Sequence, residues 1–409
     1  MKIPRLTLIV SAMLACSRLW ATPMLQVVAT NPGAIARPSE TIAVAWTEVA
    51  QAIPGALLQH LTVKGPDGAV LAYQVTNINP EAKDPTGVGI AYGDILFQHD
   101  FSAGEGSASF TIERSEAVAP VFPAKVFARF APERLDDFAW ENDKIAHRTY
   151  GPALAAPDVD HTGKEVETES GIDVWCKRVS YLIVDRWYNK GHSHYHKDEG
   201  EGMDMYDVGK SRGDGGTGIW DGTALSVENN FRTWKVVANG PIRAEFELTY
   251  DSWSAGGLTV TETKHYTVDA GHNLDQVDST FTVAGASTAD LTVGIGLNKK
   301  SSDPGQDPHT QCTQVKDDGT ISIWDVEKTH GSLGTAVIVP AQNVVGYAED
   351  KMNQLILAKA SPGKPLRFYA GAGWSKDGEF TTQEVWNSYL ASWAARIRKP
   401  VTVAVSSVP

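Results

Sequence analysis

The sequence runs to 409 residues, with 36 Lys and Arg against 49 Asp and Glu and a formal charge of −13 at neutral pH. So acidic a chain is a poor partner for nucleic acid or an anionic membrane surface, because both repel it. Its 3 cysteines exclude a disulfide framework.

Lys2 and Arg5 precede an apolar run over 6–15, and Leu19-Trp20-Ala21 ends on a small residue, which is the layout of a cleaved secretion signal over 1–21. That run is about half the ~20 residues a membrane-spanning helix needs, and no later stretch approaches the length, so no membrane span is expected. Cys16 after Leu14-Ala15 hints at a lipoprotein anchor, but Met13 suits such a site poorly and cleavage after Ala21 is preferred. Cleavage there removes Lys2, Arg5 and Arg18 and no acid, taking the charge from −13 to −16. A periplasmic or secreted protein is expected. Cys176 and Cys312 remain, open to a disulfide or to two buried thiols.

From 22 to about 130, short apolar-polar alternations separated by turn signals such as Pro66-Asp67-Gly68 read as an N-terminal β-sandwich portion, with a loop over 77–89 carrying Pro80 and Pro85. The remainder, 131–409, reads as the main portion, unless 22–409 is one continuous domain. Ile242, Ala244, Phe246 and Leu248 alternate with Arg243, Glu245, Glu247 and Thr249, the pattern of a strand buried on one face. Further strands are expected over 258–265, 276–283, 290–297, 321–326, 335–339, 354–358 and 366–370. One helix is signalled by a capping box of Thr381 and Glu384, with Val385, Tyr389, Trp393 and Ile397 recurring every fourth residue until Pro400 stops it. A last strand covers 401–405. Strand after antiparallel strand with few helices argues an all-β fold built as a large antiparallel sandwich.

The stretch 188–222 is the most unusual, with His192, His194 and His196 at alternate positions, five carboxylates between Asp198 and Asp207, and many glycines. Glycines at that density mark tight turns or close approach to a ligand, so a functional loop is expected, against a long solvated connection. On an extended strand His194 and His196 would project to one side and could share a divalent metal; free acid-base histidines are the alternative. Calcium is disfavoured because the acidic residues lack the regular loop register. Gly213 to Gly218 has no following Gly-Lys-Ser/Thr, and no Gly-x-Ser-x-Gly elbow is present, so nucleotide binding and serine hydrolysis lack candidates.

The stretch 132–154 puts Trp140, Glu141, Asn142, His147, Arg148 and Tyr150 within eleven residues. Such a mixture suits a carbohydrate, whose C–H faces stack on aromatic rings while its hydroxyls and carboxylates need fixed polar partners. The structural alternative is a turn in which Arg148 pairs with Asp136 or Asp137. Trp220, Arg232, Trp234, Lys299, Lys300 and Trp374 rank lower.

Together PERLDDFAWENDKIAHRTYGPAL, DVWCKRVSYLIVDRWY, YHKDEGEGMDMYDVGKSRGDGG, NGPIRAEFELTY and RFYAGAGWSK resemble a bacterial family long known as a domain of unknown function, found beside enzymes that degrade pectin-like and ulvan-like polysaccharides. The resemblance covers most of the chain after residue 21 and is most specific from Tyr195-His196 to Gly216. It implies a supersandwich of the galactose-mutarotase and polysaccharide-lyase kind. The activity it implies is that of the ulvan oligosaccharide dehydratase: removal of water from a terminal uronic acid to leave an unsaturated uronyl residue. Its motif centres on Tyr195-His196 and does not require His192 or His194, which weakens a three-histidine metal site.

Elimination next to a carboxylate needs that carboxylate neutralised, a base for the proton and an acid for the leaving hydroxyl. The expected assignment gives proton transfer to His196 and Tyr206, with His147 and Tyr150 in reserve. Arg148 or Arg212 takes the substrate carboxylate, and Trp140, Asn142 and Lys299 bind the acidic oligosaccharide. The rivals are a non-catalytic sugar-binding protein and a hydrolase or mutarotase-like isomerase; Glu199, Glu201 and Asp204 would supply a hydrolase's carboxylates.

Overall fold

The computed structural model describes residues 23–76, 92–164, 166–168, 171–285, 289–299 and 310–408. The leader expected over 1–21, the loop expected over 77–89, and Lys300 lie outside them. Every ladder pairing between named strands is antiparallel, as the alternating pattern requires, and the helices are few. No helix among the described residues is long and apolar enough to cross a membrane.

Met24–Thr30 shows how the first sheets form. Leu25, Val27 and Ala29 are buried while their neighbours face outward. This strand lies between Ser107–Arg114 and the C-terminal strand Thr402–Val408, with Leu61–Lys64 completing four strands. A three-stranded sheet, Arg37–Ala45, Asp94–Phe101 and Tyr73–Val75, packs against it around Val44, Phe97 and Phe110. The two ends of the chain therefore share one sandwich.

The larger body stacks an eight-stranded sheet on a five-stranded one. Arg243–Ala255, Leu258–Asp269, Leu274–Val283 and Pro365–Trp374 are consecutive neighbours in the eight-stranded sheet, and Phe246, Val277, Phe281 and Phe368 from them meet Val293, Ile295 and Ile356 of the other. Each such side chain is fully buried, contributing roughly 1.5–3 kcal/mol. A second five-stranded sheet, formed by Phe127–Ala131, Asp137–Glu141, Ile145–Thr149, Ile172–Lys177 and Gly202–Asp204, adds Phe138 and Trp140 to the same core. Its opposite face is covered by the helices Val184–Lys190 and His192–Tyr195.

That core also holds charge. Lys264 Nζ sits 3.0 Å from Glu228 and 3.2 Å from Glu262, Arg212 Nη2 is 3.1 Å from Glu228, and all four side chains are buried. Two cations against two carboxylates leave the set balanced, the condition under which buried ions are tolerated.

Three local expectations change. The terminal helix, Gln383–Arg398, is capped by Thr382, whose hydroxyl accepts from the Val385 amide, so Trp386, Leu390 and Trp393 face inward and Val385 is exposed. Cys176 is buried and Cys312 exposed, both as free thiols, so no disulfide joins them. The glycines of 213–218 serve backbone packing: they fall in or beside the buried strand Asp214–Trp220, where a Cβ on Gly215 would lie 2.5 Å from the Ala370 Cβ at a φ of +98°. By contrast, Gly346 has nothing within 4 Å of an added Cβ. Gly215→Ala should therefore cost about 1–3 kcal/mol in urea unfolding and Gly346→Ala close to nothing; equal effects would refute the packing argument.

Candidate functional site

The second five-stranded sheet positions the site through its register. Arg148 lies directly opposite Asp173, Ala139 lies on its other side, and Trp175 lies opposite Asp204. Side chains two apart on a strand share a face, so Asp137, Arg148, Asp173 and Asp204 converge there. Arg148 Nε donates to Asp173 Oδ2 at 2.6 Å, Nη2 to Asp204 Oδ2 at 3.1 Å, and Nη1 to Asp137 Oδ2 at 3.4 Å and to the Tyr195 hydroxyl at 3.3 Å. Tyr188 donates to Asp137 at 3.2 Å, and the Tyr195 hydroxyl accepts from Arg134 Nε at 3.3 Å as well.

Three buried carboxylates meet one buried cation, Arg148, with Arg134 adding a second positive charge near Asp137. Burial raises all three acids. Asp137 is pushed up to about 6 despite Arg148, Asp173 is raised, and Asp204 is raised well above its usual range with Asp173 adding repulsion. Burial opposes the charge of Arg148 too, but Asp173, Tyr150, Asp204 and Asp137 hold its proton more firmly than usual. All three carboxyls thus resist ionisation more than a free aspartate does, Asp204 the most strongly.

The cluster reaches solvent at His196. Its Nδ1 donates to the Asp204 carbonyl oxygen at 3.1 Å and lies 3.5 Å from the Asp204 carboxylate, while its side chain is 40% exposed. This bond fixes the proton on Nδ1 and leaves Nε2 as the basic atom, 3.4 Å from His192 Nε2. The two stretches singled out in the sequence thus meet: Arg148 and His196 share the carboxylate of Asp204.

The metal geometry expected of the histidines is not formed. His192–Tyr195 is one helical turn rather than a strand, so the His192 and His196 rings, four residues apart, meet edge-to-face while His194 turns to Glu199 at 3.6 Å. No group of three or more His, Cys, Asp or Glu able to hold a metal occurs among the described residues.

Several expected site residues serve the scaffold instead. His147 follows the opposite face of the strand from Arg148 and stacks on Trp140, so it cannot join His196 at the rim. Trp140 is buried and donates to Asp275 at 2.7 Å, leaving no ring face for a sugar. Asn142 is spent on the backbone, donating to the Asp269 and His272 carbonyls, both at 2.7 Å, and accepting from Lys144 and Ile145. Arg212 is buried on Glu228, and Arg148 on its aspartates, so neither is available for a substrate carboxylate. The Tyr206 hydroxyl is buried beside Asp214, and burial together with that charge raises it well above its usual range. Tyr150, under the Arg148 guanidinium, is raised likewise by burial and then Asp173. Lys299 lies 3.4 Å from Glu349. For a hydrolase, Glu201 is already taken by Tyr181, Arg186, Trp187 and Lys190, and these bonds overcome burial to hold it near 2.

On the interior face, His147, Asp275, Asp214 and Tyr266 border a cavity of about 10 Å³, room for about one water. His147 is lowered to about 4 by burial, Asp275 raised to about 7, and Asp214 raised well above its usual range by burial and then Asp275. Asp173, Asp214 and Asp275 were missed in the sequence, where each is one aspartate among many in a strand pattern; only the improbability of an acid at a buried strand position marks them.

The fold and this cluster define an antiparallel β-sandwich protein with a buried acid cluster beneath a histidine rim. Residues 29–403 match the model of the family described as "Domain of unknown function (DUF4861)", and the chain belongs to that family. It is similar to "Uncharacterized protein P7" of Formosa agariphila, 34% identical over 288 residues, 68% of this chain and 69% of that protein. Among solved structures it is similar to an alpha-mannosidase from Enterococcus faecalis V583, at TM-score 0.47 and 10% identity, covering 94% of this chain and 46% of that one. The GH36 alpha-galactosidase AgaB from Geobacillus stearothermophilus matches at TM-score 0.33 and 10% identity, over 64% and 43%. The chain spans less than half the length of these two solved chains.

Two measurements test the electrostatics. Arg148→Met strands three buried acids and should lower stability by roughly 3–5 kcal/mol in urea unfolding, whereas a loss under about 1 kcal/mol would show the cluster to be dispensable. The folded Asp275 carboxyl keeps its proton up to about pH 7, whereas the unfolded one loses it near 4, so its share of stability falls as pH rises across that window. Asp275→Asn removes this loss. Its stability relative to wild type should rise by about 2 kcal/mol from pH 5 to pH 8, and a difference independent of pH would contradict the assignment.

Proposed function

We propose that the protein is a carbohydrate-active lyase that removes water from the terminal uronic acid of an acidic oligosaccharide, acting in the periplasm or outside the cell. The observation that carries this reading is the His192–His196 pair held over Asp204. Two imidazoles 3.4 Å apart supply an acceptor and a donor at one place. His196 Nε2 takes the C5 proton, the electron pair forms the C4–C5 double bond, and the C4–O bond breaks with His192 protonating the departing hydroxyl as water. The positions of Asp204 and Arg148 make them positioning residues for His196. Arg178, a third exposed and paired with Asp198 just beyond His196, takes the carboxylate role that buried Arg148 and Arg212 cannot fill.

A non-catalytic sugar-binding reading has one observation in its favour. Trp234 is 44% exposed and stacks on Phe130 at 5.2 Å, a flat aromatic surface of the kind sugars pack on. The assay separates the two. Incubation with uronate-ended oligosaccharides should give the ultraviolet absorbance of an unsaturated uronate and a mass lower by one water, and His196→Asn should slow this by at least about 100-fold. Binding with unchanged mass would leave the sugar-binding reading, and shorter products would require a chain-cleaving one.

A further inference from the structure

A cleft of about 490 Å³ opens where the N-terminal sandwich, the outer face of the eight-stranded sheet and the helix Gln383–Arg398 meet, and it shares no residue with the His196 rim. Its size lies in the range of organic-ligand sites. In a chain of charge −13, its walls carry five arginines, Arg37, Arg243, Arg367, Arg396 and Arg398, against three lining carboxylates, Glu40, Asp269 and Asp318, with Glu245 and Asp278 behind the wall pairing Arg243 and Arg367.

The imbalance is sharpest at the floor. Arg37 and Arg396 are both buried and share the single carboxylate of Glu40, at 3.5 Å and 2.7 Å. One carboxylate between two guanidiniums leaves a positive charge inside a concave wall, where the field is focused rather than screened. At the mouth, Arg398 pairs with Asp318 and Arg367 with Asp278, and both arginines are about half exposed. The single-bonded Arg398 pair contributes little, so that guanidinium can turn to an incoming anion at small cost, while two 2.8 Å bonds to Asp278 hold Arg367 in place at the mouth. Between floor and mouth lie Tyr369, Trp393, Gln276 and Thr41, ring faces and neutral hydrogen-bonding groups that match the C–H surfaces and hydroxyls of a sugar.

We propose that this cleft is a second binding site, selective for a saccharide of about disaccharide size bearing carboxylate or sulfate groups. It takes the anionic group between the guanidiniums of Arg367 and Arg398 at the mouth, with the buried Arg37 and Arg396 contributing only their positive field from beneath. The site is independent of the chemistry assigned to His196, so it stands or falls separately.

The test is calorimetric titration of the full-length protein with a digalacturonate, a sulfated galactose disaccharide and, as neutral control, lactose. At least one anionic sugar should bind, weaken as salt is raised, and weaken by about tenfold or more in Arg398→Glu and in Arg367→Ala, while lactose does not bind. Which anionic sugar binds tells carboxylate from sulfate. Both substitutions are on exposed side chains, and an unchanged melting temperature confirms the fold. His196→Asn should bind as wild type does. The proposal is overturned if neither anionic sugar binds, if lactose binds equally, if the two arginine variants bind normally, or if His196→Asn alone abolishes binding and so places the saccharide at the rim.

Discussion

Everything near the rim depends on the guanidinium of Arg148 being placed among acids that would otherwise repel one another. Asp137, Arg148, Asp173 and Asp204 come from four neighbouring strands of one sheet, so the ion cluster and the strand register specify each other. A slip of one residue would carry Arg148 to the interior face and bring His147 to the acid face, exchanging a buried cation for a neutral ring. The hydrophobic cover is built on the same register. Ala139, Ala146 and Trp175 present the surface on which Trp187, Tyr188 and Tyr195 pack. Glu141 then accepts from the Ile183 and Val184 amides where the covering helix begins, and Lys177 balances it at 2.8 Å.

The two buried charge sets differ in a way that separates scaffold from site. Around Lys264 two cations face two carboxylates, with Thr217 and Ser279 donating to Glu262, so the group is self-contained in the middle of the core. Around Arg148 three acids meet one buried cation, with Arg134, Tyr188 and Tyr195 at the edge of the cluster, and burial raises all three carboxyls. Burial raises Glu262 too, so protonation alone does not distinguish the Lys264 set from the Arg148 set. Only the latter touches a histidine that reaches solvent.

The fold was largely legible because half-buried strands write their geometry as alternation, and 242–249 keeps that alternation in the structure except at Glu245, which is buried beside Arg243. The helix 383–398 was legible in existence and only partly in facing: Trp393 is buried as its spacing suggests, but Trp386 and Leu390, each one position beyond Val385 and Tyr389, complete the buried stripe. The histidine stretch misled for a related reason. Its alternate histidines suggested an extended strand, yet Gly191 at φ +90° is where one helix stops and the next turn starts, which converts an alternate spacing into a four-residue one. Composition also could not separate sugar-binding groups from structural ones in 132–154, since Trp140 and Asn142 have the right chemistry but spend it on Asp275 and on backbone carbonyls. The partners that decide these roles lie over a hundred residues away, and pairing at that separation leaves no local signature.

What the sheet accomplishes is to hold one titratable set on each of its faces without mixing them. His147 and Arg148 are adjacent in the chain, yet the first looks into the sandwich toward Asp275 and the second toward Asp204 and the rim. The strand between them still connects the two, because His147 Nδ1 is bonded at 3.1 Å to the carbonyl of Asp173, whose carboxylate holds Arg148. The interior set is well buried, so its ionisation states are governed by desolvation and act on stability. The rim set has one exposed member, so its ionisation states are available to a molecule arriving from solvent. That division is the physical reason for seeking the reaction at His196 rather than at the more strongly shifted groups inside.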